Sequence, residues 1–222
     1  MNYRYNGSVT DERMEVYLDT LSPVMPEYME RLFEHALSEH VPVMRRQTGE
    51  LLRFIIKKDR ISRILEIGTA VGYSALYMAL CSPDVTIDTI EKVPARIAEA
   101  KENIGKYDPS GRITLLEGDA AEVLDKLTDE HKTYDLVFVD AAKAQYPVYM
   151  KKIYDLTLPG ATVIIDNVLQ EGMLLESRYA VNRRDRTIHS RMREFLYDIT
   201  HSDKWNTIVL PVGDGMAVSV RQ

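Results

Sequence analysis

A chain of 222 residues with 45% apolar side chains suits one domain of the larger kind and is ample for a buried core. No run approaches the roughly 18 uninterrupted apolar residues that a membrane span needs, and a net charge of −6 argues against a general coat for nucleic acid. Met1-Asn2-Tyr3-Arg4-Tyr5 leads into Asp11, Glu12 and Arg13 without the apolar segment of a secretory signal, and the lone Cys81 has no internal disulfide partner, so a reducing cytoplasm is the expected compartment.

Residues from about Asp11 to Lys58 carry helical apolar spacing (Val16, Leu18; Met29, Leu32, Phe33, Leu37; Leu51, Leu52, Ile55, Ile56), divided by Pro23, Pro26 and Pro42. Two or three helices are expected here, an N-terminal cap over residues 1–58 that covers a ligand or pairs with a second subunit in a homodimer. Residues 59–222 then read as one compact α/β unit. Ile64-Leu65-Glu66-Ile67 is a buried-strand pattern that stops at Gly68, and a helix with Ala75, Leu76, Ala79 and Leu80 on one face follows. Further strands are expected at Val85–Glu91, Ile113–Asp119, Tyr134–Asp140 and Ala161–Asn167, with helices after the second and third. This alternation predicts a mainly parallel sheet with helices on both faces. The end departs from the rule: Thr207–Val212 and Met216–Val220, joined by Gly213-Asp214-Gly215, read as an antiparallel hairpin.

In such a sheet ligands bind at the carboxyl edge of the strands, which places Gly68, Glu91, Asp119 and Asp140 along one crevice. A pyrophosphate-binding turn wants G-x-G-x-x-G, whereas Ala70 stands at the middle place between Gly68 and Gly72. Glu91, ending the second strand, can accept bonds from both hydroxyls of a ribose or stand as a solvated acid. Asp119, Ala120 and Ala121 either contact an adenine edge or cap the next helix, since aspartate is favoured at an N-cap. Asp140 with Asp166 and Asn167 groups three oxygen donors, with no His or Cys beside them in sequence, at the ends of neighbouring strands. That is a hard site suited to Mg²⁺, with Mn²⁺ or Ca²⁺ also admissible. His35, His40, His131, His189 and His201 show no ligand spacing.

The run Glu66-Ile67-Gly68-Thr69-Ala70-Val71-Gly72-Tyr73-Ser74 resembles motif I of the class I S-adenosylmethionine (SAM) methyltransferases. With Val139-Asp140-Ala141-Ala142-Lys143 and Ile165-Asp166-Asn167, the chain from about Met44 onward is similar to the Mg²⁺-dependent O-methyltransferases of the catechol and caffeoyl-CoA kind. The resemblance implies their Rossmann-like fold, with a seven-stranded sheet ending in an antiparallel hairpin. It further implies that Glu66, Gly68, Thr69, Gly72, Tyr73 and Ser74 surround SAM, with Met44 beside its methionine end or merely in the core. Asp140, Asp166 and Asn167 then hold the metal, and Lys143 takes the hydroxyl proton. The chemistry is coherent on its own terms. A neutral hydroxyl is a poor nucleophile that a divalent cation acidifies. A lysine removes the proton only where neighbours or burial lower its own proton affinity. Joining an oxyanion to a sulfonium dissipates charge, so positioning carries much of the rate.

An acceptor for such a site carries two vicinal oxygens. Catechols and caffeoyl-CoA-like phenols qualify, and so does 5-hydroxyuridine. Arg178, Arg183, Arg184, Arg186, Arg191 and Arg193 fall in one stretch with the single acid Asp185, directly after the metal residues. Arginine suits phosphate. Bacterial members of the resembled family include the tRNA wobble 5-hydroxyuridine methyltransferases, so the favoured acceptor is the tRNA anticodon loop, its base stacked on Tyr146 or Tyr179. Small phenols are the alternative, and the arginines otherwise read as a solvated helix face.

Overall fold

A computed structural model describes residues 12–222; the reading of Met1 to Asp11 lies outside the described residues. Three helices precede the sheet: α1 (Glu12–Leu21), α2 (Glu27–Ser38) and α3 (Arg46–Lys58). The prolines fall where expected, Pro23 between α1 and α2, Pro26 immediately before α2, and Pro42 between α2 and α3. Leu52, Ile55 and Ile56 of α3 are buried on one face, which is the spacing that puts side chains over successive turns. Then follow β1 (Arg63–Ile67), α4 (Tyr73–Cys81), β2 (Thr86–Glu91), α5 (Pro94–Tyr107), β3 (Ile113–Glu117), α6 (Ala120–Asp129) and β4 (Tyr134–Val139). The chain ends with α7 (Tyr146–Asp155), β5 (Thr157–Ile165), α8 (Arg186–Thr200), β6 (Trp205–Leu210) and β7 (Met216–Arg221).

The seven strands form one sheet in the order β3-β2-β1-β4-β5-β7-β6. β1 lies between β2 and β4, parallel to both, and β7 alone runs against the rest, pairing antiparallel with β5 and β6. The order reverses between β1 and β4. That makes the carboxyl ends of these two strands the topological switch point, where open α/β sheets form their crevice. One apolar core joins α2, α3 and α4 to one face, and a second joins α6, α7 and α8 to the other. Helices α2 and α3 therefore share a core with β1.

The strand boundaries that differ from expectation include one start and three ends. β5 begins at Thr157 rather than Ala161, because Pro159 and Gly160 read as turn residues but are absorbed in an irregularity between the Tyr134–Thr157 and Leu136–Thr162 pairs. Three strands end earlier than their acids suggest, at Glu117, Val139 and Ile165. Asp119, Asp140, Asp166 and Asn167 consequently stand just beyond the strand ends, Asp140 and Asp166 still donating their N–H groups to Ile67 O and Val139 O.

Gly105, exposed in α5, has nothing within 4 Å of where a Cβ would lie. Helix-interior glycine costs roughly 0.5–1 kcal/mol relative to alanine. Gly105→Ala is therefore expected to raise the midpoint of thermal unfolding by about 2–4 °C, readable by calorimetry.

Candidate active site

The site grows from the end of β1. Gly68 turns the chain at φ +106, and its N–H and that of Thr69 both donate to the carbonyl of Ile90, at 3.0 and 3.1 Å. The N–H of Asp140 donates back to Ile67 O at 3.0 Å, so β1 and β4 stay joined to the edge of the crevice. Gly72, at φ +87, starts α4 in a left-handed conformation that suits glycine. The result is a cleft of about 450 Å³. Its walls are Pro42, Val43 and Met44 from the helical layer, Gly68 to Val71 with Tyr73 and Ser74 from the turn, and Glu91, Val93 and Arg96 from the end of β2 onward. Asp140, Ala141, Lys143 and Asn167 close the opposite side.

Most of the expected ligand residues thus share one cavity. Glu66 lies behind the turn, fully buried. Thr89 Oγ1 donates to its Oε2 at 2.5 Å and is itself 2.6 Å from Thr69 Oγ1, while Oε1 has no protein partner. Burial pushes the Glu66 carboxyl up to about 7, against the pull of the Ser74 and Thr89 hydroxyls. A buried acid with an unused oxygen beside the cleft is fitted to receive a cationic group. Glu91 is held by three backbone donors, Ala70 N–H to Oε2 at 3.0 Å and Lys92 and Val93 N–H to Oε1 at 2.8 and 2.9 Å. A carboxylate offers about four acceptor positions, so capacity for a ribose hydroxyl remains. Burial raises the Tyr73 hydroxyl to about 12. Asp119 caps α6 by accepting from Ala121 N–H at 3.0 Å, and with Ala120 and Ala121 it stands outside the lining of this cleft.

Across the crevice are the two aspartates. Asp166 is 1% exposed and its carboxyl is pushed up to about 7, first by burial and then by the charge of Asp140. Burial also raises Asp140; Lys143 lowers it and Asp214 raises it. Asn167 sits at φ +60, a left-handed conformation asparagine tolerates, and its N–H donates to Asp166 Oδ1 at 2.8 Å. Among the described residues no three side chains of His, Cys, Asp or Glu converge, so a cation placed here would have only the carboxylates of Asp140 and Asp166 and the carboxamide of Asn167 to draw on. A buried and a half-buried carboxylate, both with raised proton affinity, fit such an occupant.

The arginine stretch divides. Arg186 donates to the carbonyls of Val181 and Tyr179 at 3.2 and 3.4 Å, and Arg193 to that of Leu174 at 3.2 Å, so these two hold the loop before α8. Arg178 and Arg183 are exposed, and Arg184 lies 3.4 Å from Asp185. Arg191 lines a separate open groove of about 650 Å³ between α7 and α8, with Lys143 also on its wall. Tyr146 is 1% exposed, its hydroxyl donating to Asp166 O at 3.1 Å, so it is a core residue and no platform for a base; Tyr179 is 86% exposed. Arg96 and Asp214 join the site without a distinguishing signal in the sequence. Arg96 pairs with Glu99 one turn on, at 3.6 Å, as solvated helix faces do, and Asp214 is absorbed into a hairpin signal. Among the described residues no helix is long and apolar enough to cross a membrane.

A seven-stranded sheet with β7 reversed, and a cofactor-sized cleft at the end of β1 flanked by acids at the ends of β2 and β4, define a Rossmann-like methyltransferase. The chain belongs to the O-methyltransferase family, whose model matches residues 19–222. It is 32% identical to the caffeoyl-CoA O-methyltransferase of Citrus natsudaidai over 96% of this chain and 95% of that one. A catechol O-methyltransferase of Niastella koreensis matches at 31% identity over 130 residues, so the match spans 58% of this chain and 59% of that relative. The crystal structure of SAH-bound Podospora anserina methyltransferase PaMTH1 superposes with a TM-score of 0.82 at 27% identity, covering 95% and 94% of the two chains. The enzyme is a SAM-dependent O-methyltransferase.

Proposed function

We propose that this enzyme methylates one of two adjacent oxygens on a small aromatic acceptor, with Mg²⁺ held by Asp140, Asp166 and Asn167. The observation that carries the reading is the buried carboxylate of Asp166 beside the half-buried carboxylate of Asp140 at the ends of neighbouring strands, both with raised proton affinity, with Lys143 on the same crevice wall as Asp140. When bound, the cation supplies Lewis acidity toward the hydroxyl and a template for its neighbour, and SAM supplies the activated methyl group. Lys143 accepts the hydroxyl proton. Glu66 holds the methionine ammonium through its unused oxygen, Glu91 the ribose, and Met44, Tyr73 and Ser74 the space between. The two aspartates orient the acceptor, which matters most in a reaction whose charges cancel as it proceeds. The names carried by the relatives, caffeoyl-CoA and catechol O-methyltransferase, support phenols as the substrate class.

The exposed Arg178, Arg183 and Arg184 beside the segment that follows Asn167 support a second reading, a tRNA anticodon base as acceptor. One experiment separates the two: methyl incorporation from labelled SAM into a catechol panel and into bulk tRNA, in Mg²⁺ and in EDTA. Catechol labelling that falls at least about 100-fold in EDTA and returns with Mg²⁺ is expected. Label in tRNA alone would transfer the assignment to RNA, and indifference to EDTA would remove the cation.

A further inference from the structure

The corner after β5 is held from outside by residues that do not line the cleft. Val168 and Leu169, which follow Asn167, donate their N–H groups to the carbonyls of Gly215 and Asp214, each at 2.9 Å. Left-handed backbone is tolerated by asparagine at Asn167 (φ +60) but is uncommon for glutamine, so at Gln170 (φ +52) it has to be imposed by its surroundings. The surroundings are the turn between β6 and β7. A Cβ on Gly215 would lie 2.3 Å from Leu169 Cγ, so turn and corner are in close contact. The turn is docked in its own right: Arg45, at the start of α3, places Nη2 2.7 Å from Asp214 Oδ1 and Nη1 3.4 Å from Glu15 of α1.

We propose that Arg45 and Asp214 are positioning residues whose ion pair clamps the β6–β7 turn onto the segment after Asn167, and so fixes Asp166 and Asn167 where they grip the cation. The proposal rests on the divalent-cation reading above. Charge and position predict opposite patterns. Acting through charge alone, loss of Arg45 would remove a positive charge from the surroundings of Asp214, Asp140 and Asp166 and strengthen cation binding, whereas loss of the Asp214 charge would weaken it. Acting through position, both losses weaken it, and the double variant is no worse than either single one.

The test uses full-length protein carrying Arg45→Met, Asp214→Asn, both together, and Arg45→Lys. Hydrogen exchange at the Val168 and Leu169 amides is followed without divalent ions, and Mn²⁺ affinity by electron paramagnetic resonance. Exchange about 10-fold faster and Mn²⁺ binding about 10-fold weaker are expected in both single variants, with Arg45→Lys between them and wild type. Unchanged exchange at those two amides, or Mn²⁺ affinities that move in opposite directions, would overturn the clamp. Wild type that binds Mn²⁺, with variants that bind equally well, sinks the clamp and spares the cation. Accelerated exchange in a protein that never binds Mn²⁺ upholds the clamp on the corner and sinks the cation.

Discussion

Gly68→Ala is expected to cost at least about 4 kcal/mol and to lower the midpoint of thermal unfolding by roughly 8–16 °C. A Cβ built on Gly68 lies 2.0 Å from the carbonyl oxygen of Asp140, and that oxygen is backbone, so no rotamer relieves the clash. Relief requires the ends of β1 and β4 to separate, which breaks the bond from Asp140 N–H to Ile67 O and moves Asp140 itself. The left-handed φ of +106 adds a penalty for any side chain. Gly111 and Gly160 provide the control. Both also have positive φ, +68 and +91, but nothing within 4 Å of a Cβ, so alanine at either should cost only about 1–2 kcal/mol. Calorimetry on the three variants would read the difference. A Gly68→Ala protein as stable as Gly160→Ala would mean that the β1–β4 edge is far more compliant than its hydrogen bonds imply.

That glycine also shows what the sequence makes legible. Its place is visible because an apolar run stops there and a helix begins, and short-range patterns of this kind locate β1 to β4 and the reversed hairpin. The position of Asp140 against Gly68, by contrast, depends on two strands meeting across more than seventy residues, and only the fold brings them together. The arginine stretch reads as one basic surface, yet Arg186 and Arg193 spend their donors on backbone carbonyls, because helix α8 turns them toward the loop it must close. Tyr146 reads as a stacking platform, but in α7 it points into the core beneath Asp166. Arg45 and Asp214 carry no local signal: one precedes a helix, the other sits in a turn, and their pairing is tertiary.

Asp166→Asn is expected to abolish activity while stabilising the cation-free protein. Loss of a carboxylate proposed to hold the cation should lower methyl transfer roughly 10³-fold, on the scale of 4 kcal/mol in the barrier. Stability should move the other way. Burial and the charge of Asp140 raise the Asp166 carboxyl from 3.8 to about 7 in the folded protein, and burial raises Glu66 from 4.5 to about 7. Between about pH 4 and 7 the folded chain therefore binds more protons than the unfolded one, so stability falls as pH rises through that window and is level above it. Asparagine keeps the shape of Asp166 and an oxygen to accept the Asn167 N–H, but it never has to ionise. In EDTA at pH 8, the variant should melt several degrees above wild type, the residual pH dependence belonging to Glu66 and to Asp140, which burial also raises, and the two proteins should converge near pH 4. Added Mg²⁺ should raise the melting temperature of wild type alone, since only the protein that grips the ion gains from it. An Asp166→Asn variant less stable than wild type at pH 8 in EDTA would mean that the acid is held by compensating groups, and that the repulsion inferred between Asp140 and Asp166 is not there to be relieved.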